Sequence, residues 1–223
     1  MFDKEFIKKS YEKILSQLNG KAKLLAVSKY QSIEKIKFLN SLGQADFGEN
    51  YLQELEQKAL ELPNLIWHFI GSLQSKKIKK IVKYANVIQS VEKIEHLDKI
   101  SFNAVEQNKQ IKIFLQINID SDPNKAGFNS NQGEEVLDCI NYSKNLKNIE
   151  VVGLMCMPAK HTDSKQSFAK MQLFFDKINS HLPTGVKLSE LSMGMSADYD
   201  IALAYGSTEV RIGSSLFGDR VKS

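Results

Sequence analysis

Lys29 closes the apolar run LLAVS, Glu49 and Asn50 follow DFG, and His68 and Ser72 sit within and just after IWHFIG. Asn118 ends IFLQIN, Met193, Gly194, Met195 and Ser196 end a later run, and Arg211, Ile212, Gly213 and Ser214 end the last one. Residue types able to do chemistry thus recur where short apolar segments stop. In α/β proteins those are the ends that parallel strands present to one common mouth. A lysine there is informative, because its ammonium is costly to bury unless it is paired or gives up its proton. The free amine is a nucleophile toward carbonyl compounds and forms Schiff bases with them. The competing reading is a strand-capping lysine that snorkels its charge to water.

The tail GSTEVRIGSSLFG places Gly213, Ser214 and Ser215 at the start of a short helix after the last strand, a setting whose N–H and hydroxyl groups suit a phosphate. Glycine and serine also make ordinary strand-to-helix turns. Arg211 points inward if Val210 and Ile212 pack outward, by the period-two alternation of a strand. Its guanidinium then needs an acceptor, either a ligand or a carboxylate such as Glu49 or Glu209. His68, beside Trp67, is either a hydrogen-bonded core histidine or a ring near a ligand. A Schiff-base lysine, a phosphate cup and an inward arginine together describe an aldehyde that carries a phosphate. Pyridoxal 5′-phosphate meets all three demands, and a class I aldolase acting on a sugar phosphate uses the same parts.

These residues need elements to place them. From residue 22 the chain alternates apolar runs with amphipathic stretches, and eight runs read as strands: LLAVSK, ADFGEN, IWHFIG, NVIQSV, IKIFLQIN, VVGLMCM, KLSELSMG and EVRIG. Helical periodicity fills Ile33 to Leu42, Tyr51 to Leu60, Ile78 to Tyr84, Ile94 to Val105, Glu134 to Tyr142, Phe168 to Ile178 and Ala197 to Tyr205. An opening helix carries Ile7, Tyr11, Ile14, Leu15 and Leu18 on one stripe and stops at Gly20. Strand and helix repeated in this way specify parallel strands with crossover helices. The expectation is a single (β/α)8 TIM-type barrel over residues 1–223, with an open doubly wound sheet as the alternative. No GxGxxG follows the first strand and no GxxxxGK(S/T) occurs, which weighs against that alternative.

The whole chain sets outer bounds. An apolar share of 42% in 223 residues can build a large core, and a net charge of +4 is too small for a nucleic-acid binder. Lys76, Lys77, Lys79, Lys80 and Lys83 alternate with Ile78, Ile81 and Val82 as the solvated face of an amphipathic helix. Cys139 and Cys156 have no ligand spacing and read as small buried apolar groups. Asp120, Asp122 and Asn124 imitate the start of a calcium loop, but Pro123, Lys125 and Asn131 break the pattern, so no metal is expected. No signal peptide or membrane span is visible, so the expected setting is the cytoplasm, as a monomer away from membranes.

At this point the motifs AVSK (26–29), FGENYLQE (47–54), WHFIGSLQSKK (67–77), GLMCMPA (153–159), LSMGMSADYDIAL (191–203) and GSTEVRIGSSLFGDR (206–220) become recognisable. In that order and over nearly the whole length, the chain resembles the pyridoxal phosphate homeostasis protein family, itself similar in fold to the N-terminal barrel of alanine racemases. The resemblance implies Lys29 as the Schiff-base lysine, Ser196, Gly213 and Ser214 around the phosphate with the backbone of Ile212, and Arg211 facing the pyridine nitrogen. It places Asn50 and Met193 by the ring, with His68 a further candidate. Ser214 stands where relatives commonly have threonine, which keeps the hydroxyl, and Lys77 where they have asparagine. The implied function is a carrier that keeps pyridoxal phosphate sequestered and supplies it to pyridoxal phosphate-dependent client enzymes, without strong catalysis. The alternative is an amino-acid racemase of low activity using Lys29 and a second base such as Tyr30 or Tyr51.

Overall fold

Strands buried on both faces read as continuous apolar runs rather than alternating ones. In a computed structural model, which describes residues 2–218, β1 (Lys23–Val27) is of this kind, with Leu24, Leu25 and Ala26 all buried. It is followed by β2 (Asp46–Glu49), β3 (Ile66–Phe69), β4 (Val87–Val91), β5 (Ile111–Asn118), a two-residue β6 (Phe128–Asn129), β7 (Ile149–Cys156), β8 (Glu190–Met195) and β9 (Glu209–Ile212). All pairings are parallel, in the order β4-β3-β2-β1-β9-β8-β7-β5, and a further pairing of β4 with β5 closes the barrel. β6 lies outside the ring, paired with the end of β5. The closed eight-stranded barrel is therefore the fold, and the open sheet is not.

Helices α1 (Lys4–Leu18), α2 (Ile33–Ser41), α3 (Leu52–Glu61), α4 (Ile78–Tyr84), α5 (Ile94–Glu106), α6 (Gly133–Ser143), α7 (Ser164–His181), α8 (Tyr199–Ala204) and α9 (Ser214–Phe217) surround it. Their apolar stripes meet the outward faces of the strands in one continuous core. Three details differ from the periodicity. Leu15 is 42% exposed, leaving Ile7, Tyr11, Ile14 and Leu18 as the buried stripe of α1. α7 starts at Ser164 rather than Phe168 because the Asp163 carboxylate caps it, accepting Lys165 N–H at 3.0 Å. α8 starts late because Asp198 Oδ1 accepts Met195 N–H at 2.7 Å and holds residues 195–198 in a turn.

The barrel interior is partly polar. Gln89 of β4 donates to Glu209 of β9 at 2.6 Å although these strands are not neighbours, so the bond spans the interior. Ser192, His68 and Arg211 join the same buried set, while Val87, Phe114 and Met155 form a separate apolar cluster. Val210 and Ile212 pack outward into the main core and Arg211 turns inward, as strand alternation requires. The lysine face stands as an exposed surface, with Ile78, Ile81 and Val82 buried beneath and Lys80 3.6 Å from Glu56. Both cysteines are buried, and burial pushes each thiol up to about 12. Asp219 and Arg220, the end of the tail motif, lie outside the described residues.

Candidate functional site

The strand ends β1, β2, β3, β7, β8 and β9 converge on a cavity of about 240 Å³. Of the residues singled out by sequence, Lys29, Asn50, Ser196, Arg211, Gly213 and Ser214 line it. Val27, Ile70, Met155, Met157, Met195 and Ala197 complete its walls. Larger hollows occur elsewhere: one of about 920 Å³ between α1, α2 and α9, and one of about 610 Å³ at the opposite end of the barrel. Size does not select the site. Convergence of a lysine, a buried arginine and hydroxyl groups does.

Arg211 is 4% exposed and donates to Ser192 Oγ at 2.7 Å and to the Cys156 carbonyl at 2.8 Å. Burial pulls its pKa below the ordinary value, and the negative charge of Glu209 works against that pull. Among the described residues no carboxylate lies within ion-pair distance of it. Glu49 is engaged with Lys58, and Glu209 with Gln89 and Ser192. A guanidinium has five N–H donors, so capacity remains for an acceptor in the cavity.

At the rim, the end of β8 meets the turn after β9. Ser196 Oγ accepts the N–H groups of Gly213 and Ser215 at 3.4 Å each, and Ser215 Oγ donates to the Ser196 carbonyl at 3.3 Å. Hydrogen bonds this long are weak, so those N–H groups are available to a stronger, anionic acceptor. Asn50 sits opposite, and its side-chain oxygen is buried without a partner. Its carbonyl is packed so tightly beneath Gly71 that a Cβ there would lie 1.9 Å from the oxygen. Only glycine permits that approach.

Three sequence candidates stand apart from the cavity. His68 belongs to the opposite end: it is 3.0 Å from Asp46 Oδ1 and 2.8 Å from Gln89 Nε2, and it lines the 610 Å³ hollow together with the first residues of β2 and β9. It is a hydrogen-bonded interior histidine. Met193 is fully buried in the outer core, and Met195 lines the cavity in its place. The cause is a bulge: Ser192 pairs with Glu209 but Met195 pairs with Arg211, so β8 has one extra residue, and Gly194 takes it at φ +91°. Ile212 is buried and its side chain belongs to the core.

Behind Lys29 lies a cluster centred on Lys58, a residue outside every one of the motifs. Lys58 of α3 donates at 2.7 Å to the Ser28 carbonyl, to Glu49 Oε1 and to Glu54 Oε2. Ser28 Oγ donates to the same Glu49 oxygen at 2.7 Å, and Glu54 Oε2 also accepts Tyr30 N–H at 2.7 Å. Burial pushes Glu49 up to about 7 against the opposing pull of Lys58. The Glu54–Lys58 spacing of four, glutamate first, was the available signal in the sequence.

The chain was compared with known proteins. Residues 2–221 match the family model described as alanine racemase, N-terminal domain. The pyridoxal phosphate homeostasis protein of Pasteurella multocida is 37% identical over 205 residues, covering 89% of this chain and 86% of that protein. The human protein of the same name is 34% identical over 212 residues, covering 89% and 76%. Among solved structures, PipY of Synechococcus elongatus with PLP bound superposes with a TM-score of 0.85 at 32% identity, covering 95% of this chain and 100% of that one. An alanine racemase of Clostridium difficile, at 18% identity and TM-score 0.81, shares the fold and is covered over 58% of its length. The chain belongs to the alanine racemase N-terminal domain family and, within it, to the pyridoxal phosphate homeostasis proteins.

Proposed function

We propose that this chain binds pyridoxal 5′-phosphate in the barrel mouth as a Schiff base on Lys29 and serves intracellular homeostasis of that cofactor. One observation carries the reading: Lys29, Arg211 and the Ser196–Gly213–Ser214 rim line one small cavity. The residues fit the group. The weakly held N–H groups of Gly213 and Ser215 and the hydroxyls of Ser196 and Ser214 suit a phosphate. Arg211 has donors to spare for an unprotonated ring nitrogen, and the orphaned oxygen of Asn50 accepts a donor. His68 and Met193 play no direct part in this reading, and Ile212 contributes backbone alone.

When bound, the cofactor would supply an aldehyde carbon with which an amine such as that of Lys29 can form a C=N bond, with loss of one water. Arg211 is a cation fixed by Ser192 and Cys156, and it disfavours protonation at the ring nitrogen. That weakens the ring as an electron sink and restrains carbanion chemistry. Racemisation needs a second base facing Lys29 across the substrate. Tyr30 and Tyr51 hydroxyls are bonded to each other at 2.9 Å, both rings are exposed, and neither lines the cavity. This supports a carrier rather than a catalyst, and the carrier is proposed to act as a monomer that supplies pyridoxal phosphate-dependent client enzymes. Among the described residues no helix is long and apolar enough to cross a membrane.

The test is the visible spectrum of the protein with pyridoxal phosphate, before and after borohydride, beside Lys29→Ala. A band at about 410–430 nm that borohydride removes while fixing the ligand, and that Lys29→Ala lacks, is expected. An identical band in Lys29→Ala would exclude Lys29 as the attachment point. Sustained alanine racemisation would replace the carrier by the enzyme.

A further inference from the structure

The segment Ser28–Lys29–Tyr30 is held on both sides of the lysine by side chains of a neighbouring helix. Tyr30 adopts a left-handed backbone, φ +62°, which costs a bulky residue energy and persists where its surroundings over-determine it. Here the surroundings include one carboxylate and one ammonium of α3. Glu54 Oε2 accepts Tyr30 N–H, and Lys58, 4% exposed, spends its three protons on Glu54, on Glu49 and on the Ser28 carbonyl. Ser28 is tied again through its hydroxyl to Glu49 and through its N–H to the Gly48 carbonyl at 3.0 Å. One backbone group on each side of Lys29, the Ser28 carbonyl and the Tyr30 N–H, is thus held by a charged side chain of α3. The Lys29 backbone has little freedom to swing.

We propose that Glu54 and Lys58 are positioning residues, which set the reach of the Lys29 amine toward a carbonyl in the mouth without touching the ligand. The inference rests on the reading that Lys29 forms the Schiff base. It makes a distinctive demand: loosening the clamp should harm bond formation at Lys29 and spare the contacts that hold phosphate and ring. Two ligands separate these effects, pyridoxal 5′-phosphate and 4′-deoxypyridoxine 5′-phosphate, which has a methyl group in place of the aldehyde and cannot form a C=N bond.

Both are titrated against the whole protein and against Glu54→Ala, Glu54→Gln and Lys58→Met, with thermal unfolding of the free proteins measured in parallel. The aldehyde ligand should bind Glu54→Ala about tenfold more weakly, with slower growth of the Schiff-base band, while the deoxy ligand binds within about twofold of the parent. Glu54→Gln keeps an oxygen for Tyr30 N–H and should recover most of the loss. Lys58→Met should behave like Glu54→Ala; if it does not fold, the two Glu54 variants carry the test. Equal weakening of both ligands, or unchanged binding of the aldehyde in Glu54→Ala, overturns the inference while Lys29 keeps its bond in the parent. Absence of a borohydride-sensitive band in the parent overturns the Schiff-base reading and this inference with it.

Discussion

Arg211 donates to Ser192 Oγ at 2.7 Å, and that same oxygen lies 2.9 Å from both Gln89 Oε1 and Glu209 Oε1. A hydroxyl has one proton, so Ser192 accepts from the guanidinium and serves the two acceptors by turns. The arginine in the mouth is therefore anchored by a network that continues through Gln89 to His68 and Asp46 at the far end of the barrel. Ser192→Ala leaves Nη1 and Glu209 each short of a partner inside the barrel. A stability loss of about 1–3 kcal/mol in urea denaturation is expected, together with weaker pyridoxal phosphate binding. Unchanged stability would mean that Arg211 is anchored by the Cys156 carbonyl alone.

The rim formed by Ser196, Gly213 and Ser214 predicts selectivity for the phosphate. Ser196→Ala and Ser214→Ala should each weaken pyridoxal 5′-phosphate roughly 10- to 100-fold, as expected for losing one hydrogen bond to a charged group. Pyridoxal without its phosphate should bind all three proteins equally poorly. Parallel titrations of the two ligands check this, and a uniform loss for both would place the phosphate elsewhere.

Two buried titratable groups give stability a pH dependence of opposite sign. Native Glu49, pushed by burial up to about 7, keeps a proton that the unfolded chain has lost above its ordinary 4.5, so its contribution declines as pH rises through that window. His96 is 1% exposed, its Nδ1 has no partner, and burial pulls the ring down to about 4. The unfolded ring takes up a proton below about 6.5 while the native ring does not, so stability is lost as pH falls from there toward about 4. Glu49→Gln should flatten the decline toward neutral pH, and His96→Leu should flatten the acid limb. Melting temperatures at intervals from about pH 4 to 8 would show either effect.

Gly71→Ala tests the packing behind the ring pocket. The added methyl would meet the backbone carbonyl oxygen of Asn50 at 1.9 Å, which no side-chain rotation relieves, so the backbone must shift. A destabilisation of about 2 kcal/mol or more and a clear loss of cofactor affinity are expected, read by denaturation and titration. Wild-type affinity in this variant would mean that Asn50 does not help to hold the ligand.

Much of this architecture was legible in order along the chain. Each run read as a strand is one, and the short helix expected after EVRIG is α9. Lys29, Arg211 and the serine rim were legible too, because strand ends in a parallel barrel share one mouth whatever the details of packing. The resemblance placed Met193 by the ring, whereas Met195 lines the cavity, because the extra residue at Gly194 appears only when β8 is paired with β9. His68 was ambiguous because its position in β3 does not state which end of the barrel its ring faces; the bonds to Asp46 and Gln89 decide that.

By itself the sequence determined the alternation of strands and helices, their parallel arrangement, and which loops carry reactive groups. These follow from local periodicity and from the short reach of crossover connections, which neighbouring residues encode. Only the tertiary structure decided that Lys58 reaches from α3 to the Ser28 carbonyl, that Ser192 links Arg211 to Glu209, and that Glu49 answers to Lys58 rather than to Arg211. Buried charges take partners by distance in space, and residues 9 to 30 positions apart in the chain become neighbours once the barrel has closed.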